Sequence, residues 1–189
     1  TLEIKTIAPG HGLVYRKNPQ KIIADYVRFS RYAEGAGKRE VTILWGSMYG
    51  MTAKAVEHTE GILQREGVKY NKLEMPLESE SEMVATAFRS AGIIIAAPTY
   101  EYKLFPPVAA ALNELGRKKI AGKTAFRFGS YGWSGGAEKE LQEIMERTNL
   151  KWDFVESVEF EGAPKKEDLI RVEAGVLELI GKMKEKTVE

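Results

Sequence analysis

The stretch Val41-Thr42-Ile43-Leu44-Trp45-Gly46-Ser47-Met48-Tyr49-Gly50-Met51-Thr52-Ala53-Lys54-Ala55 decides how the chain is read. Val41 to Trp45 is a short apolar run suited to a strand, and helix formers follow from Met51 to about Glu66. The turn from Ser47 to Thr52 therefore joins a strand end to a helix start. The first N–H groups of a helix have no intrahelical partner, so such a junction can hold an anion. Ser47 and Thr52 offer hydroxyl donors, and Gly50 lets the backbone come close to a ligand. Two readings fit the stretch alone. It is a phosphate cradle, or it is an ordinary capped turn, because Ser and Thr are also the usual helix caps.

Downstream, strands and helices keep alternating. Val68 to Met75 reads as a second strand and Ser81 to Ser90 as a short helix. Gly92-Ile93-Ile94-Ile95-Ala96-Ala97 is a continuous apolar run bounded by turn signals, the pattern of a strand buried on both faces. Pro98 to Lys103 reads as a loop, Pro106 to Gly116 as a helix, and Lys123 to Phe128 as a strand. Residues 129 to 136 form a glycine-rich loop, followed by a helix from Ala137 to Asn149. A strand near Trp152 to Phe160 and an amphipathic helix from Lys165 to about Glu185 complete the chain. Five alternations of strand and helix predict an α/β fold, a doubly wound five-stranded parallel sheet with helices on both faces.

Upstream, residues 1 to 37 do not read as the start of that sheet. Leu2 to Ile7 alternates like a half-buried strand, and Ala8-Pro9-Gly10-His11-Gly12 makes a loop. Asn18-Pro19 is a helix start, a cap followed by proline at the first helical position. Ile22, Ile23, Tyr26, Val27 and Phe29 then keep mostly to one face of a helix ending near Tyr32. The small residues from Ala33 to Lys38 predict a flexible linker. A strand, a loop and a helix without a core of their own are expected to be the tail of another domain, with the boundary between 1–37 and 38–189. The chain begins at Thr1 rather than Met, and is expected to be a piece of something longer.

Composition narrows the function. The 189 residues hold 43% hydrophobic and 29% charged side chains, as in a soluble globular domain. A net charge of +1 supplies no field for nucleic acid. The absence of cysteine excludes disulfides, thiolate metal sites and thiol catalysis, and fits a cytoplasmic location. No apolar run approaches the roughly 20 residues of a membrane span.

In a doubly wound sheet, ligands bind beyond the carboxyl ends of the strands, where the strand order reverses. Three strand-end loops meet that condition: 46–52, 98–105 and 129–136. The second carries Tyr100 and Tyr102, and the third carries Tyr131 and Trp133 among four glycines. Aromatics on such loops suit a flat ring, although they also serve to cover a sheet edge or a subunit contact. The first loop lacks the Gly-Lys-Ser/Thr ending of a triphosphate site and the three-glycine dinucleotide fingerprint. Ala97 and Pro98 stand where a phospho-acceptor aspartate would be. A monophosphate held by hydroxyls and helix-start N–H groups remains, and with aromatics on the other loops the expected ligand is flavin mononucleotide (FMN).

These residues carry a resemblance. From about Glu40 onward the chain resembles flavodoxins, with Ser-Met-Tyr-Gly-Met-Thr at 47–52 standing where that family has Thr-x-Thr-Gly-x-Thr. Ile-Ala-Pro-Gly-His-Gly at 7–12, Pro-Thr-Tyr at 98–100 and Gly-Ser-Tyr-Gly-Trp-Ser-Gly at 129–135 are similar to the flavodiiron proteins, also called A-type flavoproteins. In that family a metallo-β-lactamase-like domain with two irons precedes a flavodoxin-like domain with FMN. The resemblance implies that residues 1–37 are the end of a diiron domain and that His11 matches an iron-ligating histidine. The other ligands of that family are absent, so the chain alone is expected to lack a complete diiron centre. His58, the only other histidine, reads as a surface or packing residue.

The resemblance further implies residue roles. Ser47, Met48, Tyr49, Gly50, Met51 and Thr52 would surround the phosphate. Pro98, Thr99, Tyr100 and Glu101 would flank the isoalloxazine ring, and Ser130, Tyr131, Gly132, Trp133 and Gly135 would wrap its other edge. No catalytic side chain is assigned. The whole protein would take electrons from a donor such as rubredoxin or a reduced deazaflavin, and reduce oxygen or nitric oxide at its diiron site. A head-to-tail homodimer would bring one flavin near the other subunit's irons. A stand-alone flavodoxin-like shuttle and a nicotinamide-dependent quinone reductase are the alternatives, and neither needs the leading 37 residues.

Overall fold

Strand β3 (Ser90–Ala96) is buried at every position and forms the centre of the molecule, seen here in a computed structural model that describes residues 2–187. Thr1, Val188 and Glu189, the outer ends of the two expected segments, lie outside the described residues. β3 pairs with β1 (Lys38–Trp45) on one side and with β6 (Thr124–Tyr131) on the other, both parallel. β2 (Lys69–Glu74) lies outside β1. The fifth position is shared by β7 (Asp153–Phe154) and β8 (Val158–Glu161), which pair with successive parts of β6. The order β2-β1-β3-β6-β7 makes the sheet doubly wound, with its direction of growth reversing between β1 and β3.

Side chains alternate across the sheet and build two cores. Val41, Ile43, Ile94, Phe126 and Phe128 pack under α2 (Met51–Arg65) and α6 (Lys166–Met183). Leu44, Ile93, Ile95 and Ala125 pack under α3 (Glu80–Arg89), α4 (Pro106–Arg117) and α5 (Ala137–Thr148). Each large aliphatic side chain fully removed from water contributes about 1.5–3 kcal/mol, so the two faces supply most of the driving force. The sheet prediction holds, with one refinement. The run 152–160 breaks into two short strands rather than one.

Other boundaries move for physical reasons. β6 continues through Gly129, Ser130 and Tyr131, expected as loop, because β8 pairs with those residues. Residues expected as loop after Pro98 form an antiparallel pair, β4 (Thr99–Tyr100) with β5 (Lys103–Leu104), turning through Glu101 and Tyr102 at φ 47° and 63°. The last helix stops at Met183, and a single 3-10 turn covers Lys184–Lys186.

The leading segment is only partly as expected. α1 (Pro19–Ala33) begins at Asn18, whose side-chain oxygen accepts from the Lys21 N–H at 3.3 Å. Tyr32 is buried edge-on to Phe88 of α3, with ring centroids 5.8 Å apart. Leu2 to Ile7 is not a strand. Among the described residues its backbone pairs only through Ile7 and Tyr15, which bond one another at 2.9 Å both ways, and the Gln20 side-chain amide donates to Ile4 O at 3.5 Å. The stretch 33–38 is not a free linker either. The Gly37 N–H donates to Lys186 O at 3.0 Å, and the Lys123 ammonium donates to Ala36 O at 2.9 Å. Its small residues allow close packing rather than independent movement. No helix among the described residues is long and apolar enough to cross a membrane.

Candidate functional site

Three loops meet at the carboxyl ends of β1, β3 and β6, at the reversal point of the sheet. Between them lies a cleft of about 630 Å³, within the usual range for small-molecule sites. Its walls are Met48, Tyr49 and Met51 from the first loop, Pro98 to Tyr102 from the second, and Ser130 to Ser134 from the third, with Gly162 beside them.

The first loop ends at Gly50, which takes a left-handed conformation (φ 77°) and caps α2 without any side-chain hydrogen bond. The backbone N–H groups at the start of α2 therefore have no side-chain acceptor. They make a local positive pole at the cleft, where anions are stabilised by about 0.3–1 kcal/mol or more. Among the described residues no lysine or arginine lines the cleft, and Glu101 is its one carboxylate.

The second and third loops supply apolar surface. Trp133 is 101% exposed, Tyr49 83% and Tyr102 76%, so large aromatic faces stand at the rim with nothing against them. Deeper in the wall, the Thr99 hydroxyl is buried with no hydrogen-bond partner. A buried hydroxyl left unpaired costs about 1–3 kcal/mol, so this oxygen lacks the partner that such a group ordinarily has. Gly129 lets β6 come against the end of β3, because a Cβ there would stand 1.8 Å from Ala97 O.

Most of the residues singled out in the sequence come together here. Met48, Tyr49, Met51, Pro98, Thr99, Tyr100, Glu101, Ser130, Tyr131, Gly132 and Trp133 all line the cleft. Ser47, Gly50, Thr52 and Gly135 do not. Thr52 is fully buried, with its hydroxyl 3.0 Å from the Ser130 hydroxyl, so it joins the first and third loops from behind. Gly135 packs over Glu159. Tyr102, Ser134 and Gly162 also line the cleft. Tyr102 was visible as a loop aromatic in the sequence, whereas nothing local marks Gly162.

His11 lies exposed in a bend far along the chain from these loops. Among the described residues no group of three or more His, Cys, Asp or Glu is placed to hold a metal. The His58 imidazole lies 3.9 Å from a Glu173 carboxylate oxygen on the outer side of α2 and α6.

No family profile matches the chain. Among individual proteins, it is 29% identical over 170 residues to the nitric oxide reductase of Moorella thermoacetica, covering 90% of this chain and 42% of that protein. It is 32% identical over 138 residues to the anaerobic nitric oxide reductase flavorubredoxin of Vibrio vulnificus, covering 72% of this chain and 27% of that one. In structure it is similar to the flavodiiron protein of Giardia intestinalis, with a TM-score of 0.80 and 25% identity over 98% of this chain and 46% of that one. A flavodoxin from an archaeon shares the fold over 77% of this chain and 99% of its own, at a TM-score of 0.65 and 20% identity. The chain thus spans less than half the length of the curated relatives it matches. Its flavodoxin-like part is homologous to that of the flavodiiron proteins.

Proposed function

We propose that residues 38–189 form an FMN-binding electron-transfer domain of a flavodiiron oxidoreductase, and that residues 1–37 are the tail of its metallo-β-lactamase-like diiron domain. One observation carries the reading. An aromatic-rimmed cleft runs from the uncapped start of α2 to two loops bearing Tyr100, Tyr102, Tyr131 and Trp133, with no cation among the described residues of its walls. That combination suits a ligand with a single phosphate at one end and a planar ring at the other. The orphaned Thr99 hydroxyl supports the fit, because a flavin ring edge offers both donors and acceptors.

In this reading the N–H groups of Met51 and Thr52, with Ser47, Met48, Tyr49 and Gly50, hold the phosphate. Pro98, Thr99, Tyr100 and Glu101 hold one side of the ring. Ser130, Tyr131, Gly132 and Trp133 hold the other, with Gly135 shaping the loop behind them. Bound FMN would supply the redox chemistry, while the chain orients it and limits access of water. Thr52 has a structural part as well, since its hydroxyl ties the phosphate loop to Ser130.

The reading extends to the longer protein. It would receive electrons from rubredoxin or a reduced deazaflavin and deliver them to a diiron site that reduces oxygen or nitric oxide. It would act in the cytoplasm as a head-to-tail homodimer, with His11 completing an iron site from residues outside this chain. The test is the identity of the flavin carried by the purified chain. Denaturation should release FMN, and release of FAD or of no flavin at all, even after reconstitution, would refute the reading.

A further inference from the structure

Arg127 is fully buried on the α5 side of β6, three residues before Ser130 of the cleft wall. Its guanidinium donates to Glu159 Oε1 at 2.7 Å, reaches Ala97 O at 3.5 Å and lies 3.9 Å from Glu138 Oε2. Those partners come from three segments. Ala97 immediately precedes the Pro98–Thr99 wall, Glu138 opens α5 just after the 131–136 loop, and Glu159 lies on β8. Glu159 also sits directly beneath that loop, since a Cβ on Gly135 would come within 2.7 Å of its Oε2. Glu138 Oε2 has no hydrogen-bond partner, so it faces Arg127 as its charge partner.

A second brace runs alongside. The Leu104 N–H, at the end of the β4–β5 hairpin, donates to Glu140 Oε2 at 2.6 Å. The start of α5 is therefore fastened to both ends of the second loop. A buried guanidinium is costly unless paired, and packing alone would be served by an apolar side chain at this position. What a charge adds here is a fork able to hold three segments at fixed directions.

We propose that Arg127 is the positioning residue of the ring end of the cleft. It sets the separation of the 98–104 and 131–136 loops while touching no ligand itself. The inference rests on the FMN reading above. Removing or shortening the fork lets the two loops drift, so the site loses affinity for the ring and not for the phosphate.

The test compares FMN and riboflavin binding by wild type, Arg127→Lys and Glu138→Gln, with the visible absorption of the bound flavin and the thermal unfolding of the flavin-free protein. Arg127→Lys should weaken both flavins by the same factor, about tenfold or more, and shift the visible band. Glu138→Gln should weaken both equally and by less. A folded Arg127→Lys protein that binds both flavins within about twofold of wild type, with an unchanged band, overturns the proposal. So does a loss confined to FMN, which would place the lesion at the phosphate. Should Arg127→Lys not fold, Glu138→Gln decides by the same criteria, because Glu138 is partly exposed. A wild type that binds neither flavin overturns the FMN reading and this inference together, whereas normal wild-type binding with unaffected variants overturns this inference alone.

Discussion

The hydroxyl of Thr52, at the start of α2, lies 3.0 Å from the hydroxyl of Ser130, near the end of β6, and both are buried. The contact joins residues 78 positions apart and closes the back of the cleft. The Ser130 N–H also points to Thr52 Oγ1, at 3.4 Å. Thr52→Val keeps the shape and deletes the bond, leaving Ser130 Oγ without that partner. Stability should fall by about 1 kcal/mol, read as a lower urea midpoint at unchanged slope. FMN affinity should fall with it, since Ser130 lines the cleft. An unchanged midpoint would show that the clasp contributes nothing.

Trp133 makes the opposite case, because its side chain is fully exposed and packs against none of the described residues. Trp133→Ala should leave the flavin-free protein within about 0.5 kcal/mol of wild type. Affinity for FMN should fall roughly tenfold or more, because a stacked aromatic pair contributes about 0.5–1.5 kcal/mol beyond the area it buries. Flavin fluorescence quenching measures this directly. Equal affinity would remove Trp133 from the site.

Gly129 brings β6 close against Ala97, just past the end of β3. An added methyl would overlap Ala97 O at 1.8 Å, and that atom belongs to backbone that cannot rotate away. Gly129→Ala should cost about 1–3 kcal/mol or more in thermal stability. It should weaken flavin binding as well, because Pro98 and Thr99 follow Ala97. A variant as stable as wild type would show that the two strands separate easily.

Lys123 predicts a pH dependence. Its ammonium is fully buried, donating to Ala36 O and Phe88 O at 2.9 and 2.8 Å. Burial, assisted by the charge of Lys186, lowers its pKa from 10.5 to about 7. The folded value is below the unfolded one, so between about pH 7 and 10.5 the unfolded chain binds more protons. Wild-type stability should therefore rise with pH across that window, and the penalty should be complete below about pH 7. Lys123→Met should lack this contribution, so the stability difference between the two proteins should change with pH in that window. Parallel curves from pH 7 to 9.5, measured by urea unfolding, would contradict the assignment.

The sheet and most of the cleft are legible in the sequence because their signals are local. The apolar runs of β1 and β3, the Asn18-Pro19 helix start and the aromatics at 100, 102, 131 and 133 need no knowledge of distant contacts. What escapes depends on partners far along the chain. Leu2 to Ile7 has a strand's alternation, but among the described residues its backbone pairs only through Ile7 and Tyr15. Gly129 to Tyr131 reads as a turn until β8 is laid beside it. Glu101 and Tyr102 take left-handed conformations without the Asn-Gly signal that marks such hairpins. Lys123 and Arg127 look like surface charges in a strand, and only the fold brings Ala36 O, Phe88 O, Glu159 and Glu138 to meet them.

The central claim is that the cleft holds a ring at its aromatic rim and a phosphate at the start of α2. The most direct measurement is the dissociation constant of the flavin-free chain for FMN and for riboflavin, which differ only by that phosphate. FMN should bind at one site per chain and at least about a hundredfold more tightly, the equivalent of roughly 2.7 kcal/mol from the helix pole and the loop N–H groups. Equal affinities, or no binding of either, would contradict the account.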